Sequence, residues 1–581
     1  MPGALILDGH SRAAVEATQS LGRAGVEVWV SAGESGALAF SSRYAKHRLR
    51  QPPCIPVAGL VEWLQELDAR HRFQLIIPST EGALQAFAAL PDDSSLRRRA
   101  ILPDNHALLI ALDRGQTWKL ASELGVPVPA TRLIDRLPTD TNPGSYPLVL
   151  KPARSKSEYL GELRTYAPVI VRDDAERRSV LGQWVPRMPV LEQEYVQGWG
   201  VGIELLYDAG RLVRHFAHER LHEWPLTGGA STYRRAIEPP EAMLDASRRL
   251  LEALSWNGVA MVEFKRRADG SFALMEINPR LWGSLALSTD AGVDFPLSLW
   301  KIAAGEALPP QTPYRRGMRT RLLSGDLVWQ KANLVADRRN PLLLTRPRLL
   351  SLLEPLLVLG GRERWDHFSW ADPGPMAHEL KQIVHIAARA GRRRRQIRSF
   401  LLRRRAIMKR VVRRVAKARI SRIPSIVFLC QGNICRSPFA AIVARDRLEG
   451  FSIDSAGFDR RANRATPVNV MEAAARMGYD MSQCRSTAVT EDLLQAADVV
   501  CLMDLDQYEQ LAKAYPNCLP RTVPLGMFAS PPVTEIEDPD RADDATTVRV
   551  LSQITSAVDG LAARFDAARM SVREGDGSWA Q

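Results

Sequence analysis

The chain alternates short apolar runs with longer amphipathic stretches. Residues 4–7 (ALIL), 28–30 (VWV) and 75–77 (LII) are brief, fully apolar and bounded by polar turns. Strands buried on both faces read this way. Helix-length segments separate them, so residues 1–100 predict a small parallel sheet in a βαβ order. Residues 101–310 carry a second set of strand-like runs at 147–152 (PLVLKP), 190–196 (VLEQEYV), 259–265 (VAMVEFK) and 273–278 (ALMEIN). Residues 311–390 are Leu-rich and broken by prolines, and predict a helical extension. A new βα pattern opens with SIVFL at 425–429 and runs to residue 565; residues 566–581 have the composition of a disordered tail.

Residues 391–422 stand apart. Placed on a helix, Ile397, Phe400, Leu401, Ile407, Met408, Val411, Val412 and Val415 share one arc, with most arginines outside it. The stretch 392–422 holds 15 Lys/Arg and no acid, so the formal net charge of +13 is a local feature and the rest of the chain is slightly acidic. A general nucleic-acid-binding surface is not implied. The pattern predicts a basic amphipathic helical linker. Its stripe suits three uses: packing on a neighbouring domain, lying on an anionic membrane, or binding a polyanion.

No apolar run reaches the roughly 18–20 residues of a membrane span; the best candidate, 349–359, contains Glu354 and Pro355. The opening MPGALILDGH lacks the basic start of a secretory signal. Six cysteines show no paired framework, which favours reduced thiols and a cytoplasmic protein, peripheral to the inner membrane surface if the linker binds there.

Residues 429–440 read LCQGNICRSPFA. A strand ending in Cys430, a Gly-containing loop, and a helix beginning near Ser437 and Pro438 form an anion cradle. The same field favours a thiolate, and Arg436 offers a two-pronged clamp for phosphate oxygens. A nucleophile and a phosphate clamp on one loop suit attack at phosphorus.

This string resembles the signature of low-molecular-weight protein tyrosine phosphatases, and the resemblance extends over residues 425–565. It implies a doubly wound domain, 423–565, with a four-stranded parallel sheet and no cofactor. It makes Cys430 the nucleophile, Arg436 the phosphate clamp and Asp538, in an Asp-Pro pair, the general acid. Gln431, Gly432, Asn433, Ile434, Cys435 and Ser437 line the phosphate, with Asn433 shaping the loop and Ser437 steadying the thiolate. The substrate implied is a phosphotyrosine protein or small phosphate ester. Cys435 is either a redox partner of Cys430 or a buried filler. Two related chemistries compete. Arsenate reduction would need resolving cysteines, and Cys484 and Cys501 lack the expected spacing. Arginine phosphatases carry Thr where this chain has Ile434, and an apolar side chain suits an aromatic ring.

In a strand alternate residues share a face, so Glu263 points with Lys265, and Glu276 with Asn278. Glu263, Glu276 and Asn278 offer hard oxygen ligands suited to Mg²⁺. With Lys151 in PLVLKP, Arg114 in LDR and EINPR at 276–280, the pattern resembles the ATP-grasp superfamily over residues 1–310, on its carboxylate-amine-ligase and carbamoyl-phosphate-synthase-like side. The resemblance implies a pre-grasp parallel-sheet domain at 1–100 and an α+β ATP-grasp domain at 101–310. ATP would meet Arg114, Lys151, Lys265, Arg280 and a hinge formed by Glu192, Gln193, Glu194, Tyr195 and Val196. Glu263, Glu276 and Asn278 would hold Mg²⁺. A carboxylate and an amine are the implied substrates, and neither is named by the residues. The loop after Lys151 lacks the family's glycines, which offers Arg154 and Lys156 as replacement phosphate contacts. Residues 227–232 (TGGAST) are candidates to cover the acceptor. The expectation is a bifunctional phosphate enzyme. The alternative is a phosphatase regulated by a silent nucleotide-sensing module.

Overall fold

A computed structural model describes residues 3–138, 145–154, 156–159, 162–540, 542 and 544–573; the side chains of 156–159, 162–165, 359, 401, 404, 405, 408, 544, 545 and 568–573 are outside the description. The chain divides into two compact units, Met1–Val384 and His385–Gln581.

The first unit opens with the expected parallel sheet, in the order Ala45–Arg50, Val28–Ala32, Ala4–Ile6, Leu75–Ile77. Alternation divides the central strand between two cores. Leu5 and Leu7 face Leu60, Leu64, Phe73 and Phe87, while Ile6 packs with Val28, Val30 and Leu21. Helix Arg12–Arg23 follows at once, capped by Ser11, whose hydroxyl accepts from the Ala14 N–H.

A second, antiparallel sheet runs Thr131–Ile134, Val190–Glu194, Leu148–Pro152, Val169–Val171. The third has seven strands: Phe272–Asn278, Gly258–Arg266, Trp199–Asp208, Arg211–Trp224, Ala230–Ala236, Arg319–Arg321 and Glu363–Trp365. Residues 311–390 do hold helices, Leu323–Val335 and Arg348–Leu353 among them, but also supply the last two strands of this sheet. Those strands carried no apolar run (RTR and ERW) because their buried faces are polar: Arg321 donates to Glu363 across the pair.

In the second unit four parallel strands run Ser452–Gly457, Ser425–Cys430, Val499–Leu502, Thr522–Pro524. Ile426, Phe428 and Cys430 face one core with helices Arg436–Arg447 and Asp544–Arg573; Val427 and Leu429 face the other. The closing helix therefore continues past residue 565, into the segment expected to be disordered.

The basic segment belongs to a helix spanning Gly374–Ser421. Val411 and Val415 are only 3% and 2% exposed and sit in the same core as Cys430, with Phe400, Ile407 and Val412 packed against it. The side chains of Leu401 and Met408 lie outside the described residues. Of the three uses the stripe suits, these residues take the first: they pack into the core of this unit.

Candidate active sites

The strand Ser425–Cys430 delivers Cys430 to the sheet's C-terminal edge, where helix Arg436–Arg447 begins. Two donors converge on the Cys430 sulfur: the Asn433 N–H at 3.2 Å and the Ser437 hydroxyl at 3.0 Å. Asn433 adopts a φ of +50°, a left-handed conformation Asn tolerates. Its side chain locks the loop. Nδ2 donates to Ser437 at 2.9 Å and to Ser455 at 3.0 Å, and Oδ1 accepts from the Thr487 N–H at 2.7 Å. Gly457 lies underneath, where a Cβ would come within 2.8 Å of the Asn433 nitrogen.

Arg436 is 3% exposed. Its Nη1 donates to Asp504 at 2.8 Å and to the Ile536 carbonyl at 3.0 Å; its Nη2 donates to Asp538 at 2.5 Å. The loop's expected residues thus come together, and Asp538 joins them from far along the chain. Gln431 takes Gln510 at 2.9 Å, and the Gly432 carbonyl accepts from Arg464 at 2.9 Å. Burial first, then Asp538 and Asp540, push the Cys435 thiol up, so it stays protonated beside the loop. Cys501 is paired in register with Phe428 in the core, and burial pushes its thiol up as well. Asp504, Ser455, Thr487 and Arg464 were missed in the sequence. Asp504 alone left a signal: with Gln507 it forms the capping box of helix Leu505–Ala514.

In the first unit the strand pair Gly258–Arg266 and Phe272–Asn278 sets Glu263 directly opposite Glu276. Arg114 opens helix Arg114–Glu123 and donates to one Glu276 oxygen from Nε at 3.1 Å and from Nη2 at 2.9 Å. Asn278 donates to the other at 3.2 Å, and Arg280 donates to Asn278 at 3.3 Å. Burial alone would raise the Glu276 carboxyl; Arg114, Lys151 and Asn278 reverse this and hold it below the usual carboxylate range. Lys151 faces the same group. Burial, then Arg114, lower its ammonium to about 8, against the pull of Glu276 and Glu263.

Glu263 also accepts from Arg220 at 2.5 Å, and Lys265 donates to Glu223 at 3.1 Å and to the Gly198 carbonyl at 3.2 Å. Arg220, Glu223, His218 and Glu204 extend this polar floor, and sequence reading missed them. Two glycines open the space for it. A Cβ at Gly200 would meet Arg220 Cδ at 2.5 Å, and one at Gly202 would meet the His218 ring at 2.5 Å.

The hinge divides. Leu191 and Gln193 share the face of Lys151, whereas Glu192 pairs in register with Leu150 on the opposite face. There its carboxylate takes Arg177 at 2.5 Å. Glu194 pairs with Arg267 at 3.2 Å, and the Tyr195 hydroxyl donates to the Leu342 carbonyl at 3.2 Å. Val196 is buried. Arg154 donates to Asp113 at 3.1 Å, and the Lys156 side chain lies outside the described residues. Of residues 227–232, 227–229 lie in the turn between strands Arg211–Trp224 and Ala230–Ala236, where Glu223 accepts from the Gly229 N–H at 3.1 Å, and 230–232 begin the second strand.

The second unit sets a cysteine and an arginine on one strand–loop–helix turn of a parallel sheet, an arrangement suited to cysteine-based phosphate chemistry. Residues 425–571 match the family model for low molecular weight phosphotyrosine protein phosphatase. A probable low molecular weight protein-tyrosine-phosphatase, EpsP, of Ralstonia nicotianae is 30% identical over 145 residues, covering 98% of that protein and 25% of this chain. A protein-arginine-phosphatase of Geobacillus stearothermophilus is 27% identical over 115 residues, 77% of that protein and 20% of this chain. Through this domain the chain belongs to the low-molecular-weight protein-tyrosine-phosphatase family, a family of hydrolases. Residues 187–325 match a family model described as ATP-grasp in the biosynthetic pathway with Ter operon. Among solved structures, an L-amino acid ligase from Bacillus licheniformis shares 15% identity, with 52% of this chain and 74% of that one covered at a TM-score of 0.41. One chain thus carries a segment similar to an ATP-grasp family model and, after it, a tyrosine-phosphatase domain. No helix among the described residues is long and apolar enough to cross a membrane.

Proposed function

We propose that the second unit hydrolyses aryl phosphate esters, phosphotyrosine foremost, through a cysteinyl-phosphate intermediate. The observation that carries this is the convergence of Ser437 and the Asn433 N–H on the Cys430 sulfur, with the Arg436 guanidinium on the same turn. The Cys430 thiolate attacks phosphorus as the bond to the leaving oxygen breaks, and Asp538 gives that oxygen its proton. Water then attacks the cysteinyl phosphate, Asp538 takes a proton from it, and inorganic phosphate leaves with the thiolate restored. Gln431, Gly432, Asn433, Ile434 and Cys435 form the wall around the phosphate. The apolar Ile434 favours an aromatic ester over phosphoarginine. Full-length protein should hydrolyse p-nitrophenyl phosphate without added metal, and Cys430→Ser should abolish it. Asp538→Asn should slow poor leaving groups by about 10²–10⁴-fold. Metal-dependent turnover that survives Cys430→Ser would refute the assignment.

We infer that the first unit binds ATP with Mg²⁺ to activate a carboxylate for attack by an amine. Two carboxylates in register and the Asn278 amide are the hard-oxygen set such an ion takes. When bound, the ion would neutralise phosphate charge. Glu263, Glu276 and Asn278 would hold it; Arg114 pairs with Glu276 and Arg220 with Glu263. Lys151 and Arg280 would bind phosphate oxygens. Gln193, on the Lys151 face, is better placed toward nucleotide than Glu192. Glu276→Gln with Asn278→Ala should remove the Mg²⁺ dependence of ATP binding measured by calorimetry; unchanged dependence would put the ion elsewhere. Any membrane contact of residues 392–422 would be electrostatic, through exposed arginines.

A further inference from the structure

The loop carrying Asp538 is tethered on several sides. The Ile536 N–H donates to the Met503 carbonyl at 2.8 Å, and the Ile536 carbonyl accepts from Arg436 at 3.0 Å. Glu537 takes Arg549 at 2.5 Å. One more tether comes from outside the segment that matches the phosphatase family. Arg393, on the basic helix, donates from Nε to both oxygens of Glu535 at 2.9 and 3.0 Å, and its Nη2 lies 2.6 Å from the same carboxylate. This is the two-pronged geometry in which a guanidinium fixes a carboxylate in direction as well as distance.

Glu535 also accepts from the Leu505 N–H at 3.4 Å, at the start of the helix that follows Asp504. The basic helix grips that second element too. Arg389 pairs with Asp506 at 3.1 Å, Gln396 donates to Glu509 at 3.2 Å, and Phe400 meets Tyr508 edge-on at 5.0 Å between ring centres. One helix therefore holds both elements whose carboxylates, Asp504 and Asp538, receive Arg436. The Arg393–Glu535 pair is partly exposed, so solvent screening keeps its contribution to stability small. Its geometric effect is not screened. Glu535 is close to Asp538 in the chain, and the tether limits where that carboxyl points.

We propose that Arg393 is a positioning residue of the phosphatase: through Glu535 it sets the loop so that the Asp538 carboxyl reaches the leaving-group oxygen. This rests on the reading of Asp538 as the general acid. It gives the segment before the phosphatase domain a part in that domain's chemistry.

The test uses full-length protein and a series of aryl phosphates whose leaving groups run from p-nitrophenol to phenol. Arg393→Ala should lower kcat on phenyl phosphate by about tenfold and on p-nitrophenyl phosphate far less, with KM little changed. Arg393→Lys should recover part of the loss, and Arg393→Ala should add nothing in the Asp538→Asn background. Glu535→Gln removes the charge that holds this pair from the other side and should give the same profile, which covers the case in which Arg393→Ala does not fold. An equal loss across the series, or a full further loss on top of Asp538→Asn, overturns the proposal. If Asp538→Asn itself shows no leaving-group dependence, the acid assignment fails and takes the proposal with it. If Asp538→Asn shows that dependence and Arg393→Ala and Glu535→Gln do not, only the tether fails.

Discussion

Arg436 Nη2 and Asp538 Oδ2 lie 2.5 Å apart, so the clamp assigned to phosphate holds the residue assigned as acid. Arg436 is buried whereas the Asp538 side chain is 46% exposed. A phosphate dianion arriving at Cys430 must share or take that nitrogen. Inorganic phosphate should therefore inhibit competitively. Asp538→Asn, which removes the competing charge, should bind it more tightly, by about tenfold, even as turnover falls. Inhibition constants against p-nitrophenyl phosphate check this; weaker inhibition in the variant would contradict it.

Gly457 is the floor of the phosphate loop. An added Cβ would sit 2.8 Å from the Asn433 nitrogen and 3.0 Å from the Gln431 carbonyl, both backbone atoms that cannot swing aside. Gly457→Ala should displace the Asn433 N–H from the Cys430 sulfur and lower kcat by about 10²-fold. The domain should stay folded, as circular dichroism would show. Wild-type kcat in this variant would mean the loop adapts freely.

Lys151 titrates near pH 8 because burial, then Arg114, disfavour its charge. Phosphate favours the ammonium, so above about pH 8 ATP binding should take up a proton and weaken as pH rises. Lys151→Met should flatten the profile, which calorimetry in buffers of different ionisation enthalpy would report. In the free protein the unfolded chain holds the extra proton between about 8 and the ordinary lysine value of about 10.4, so this group makes stability rise with pH across that window.

Val411 and Val415 are committed to the phosphatase core, so the basic helix has lost its apolar stripe as a source of membrane affinity. Full-length protein should ignore neutral vesicles. Sedimentation with anionic vesicles should be seen only at low salt, where the Debye length is long, and vanish near 1 M salt, where it is about 3 Å. Salt-resistant sedimentation would show that the helix leaves its core and inserts.

Local chemistry made much of this protein legible in its sequence. The Cys430 loop could be read because Cys430, Arg436 and the start of a helix stand side by side in the chain, and spacing alone brings them to one turn. The strands 259–265 and 273–278 could be read because alternation alone puts Glu263 with Lys265, and Glu276 with Asn278. Distance along the chain hid the rest. Asp504 reaches Arg436 only when helix Leu505–Ala514 packs beside the loop. The hinge stretch 192–196 could be picked out, but that the Glu192 carboxylate turns to Arg177 was set by strand pairing. The strands at 319–321 and 363–365 were illegible because their buried faces are arginine and glutamate paired across strands, not apolar runs. The amphipathic helix was fully written in the sequence, yet its meaning was not. An apolar stripe states only that something must cover it, and the packing of Val411 and Val415 beside Ile426 and Phe428 decided what.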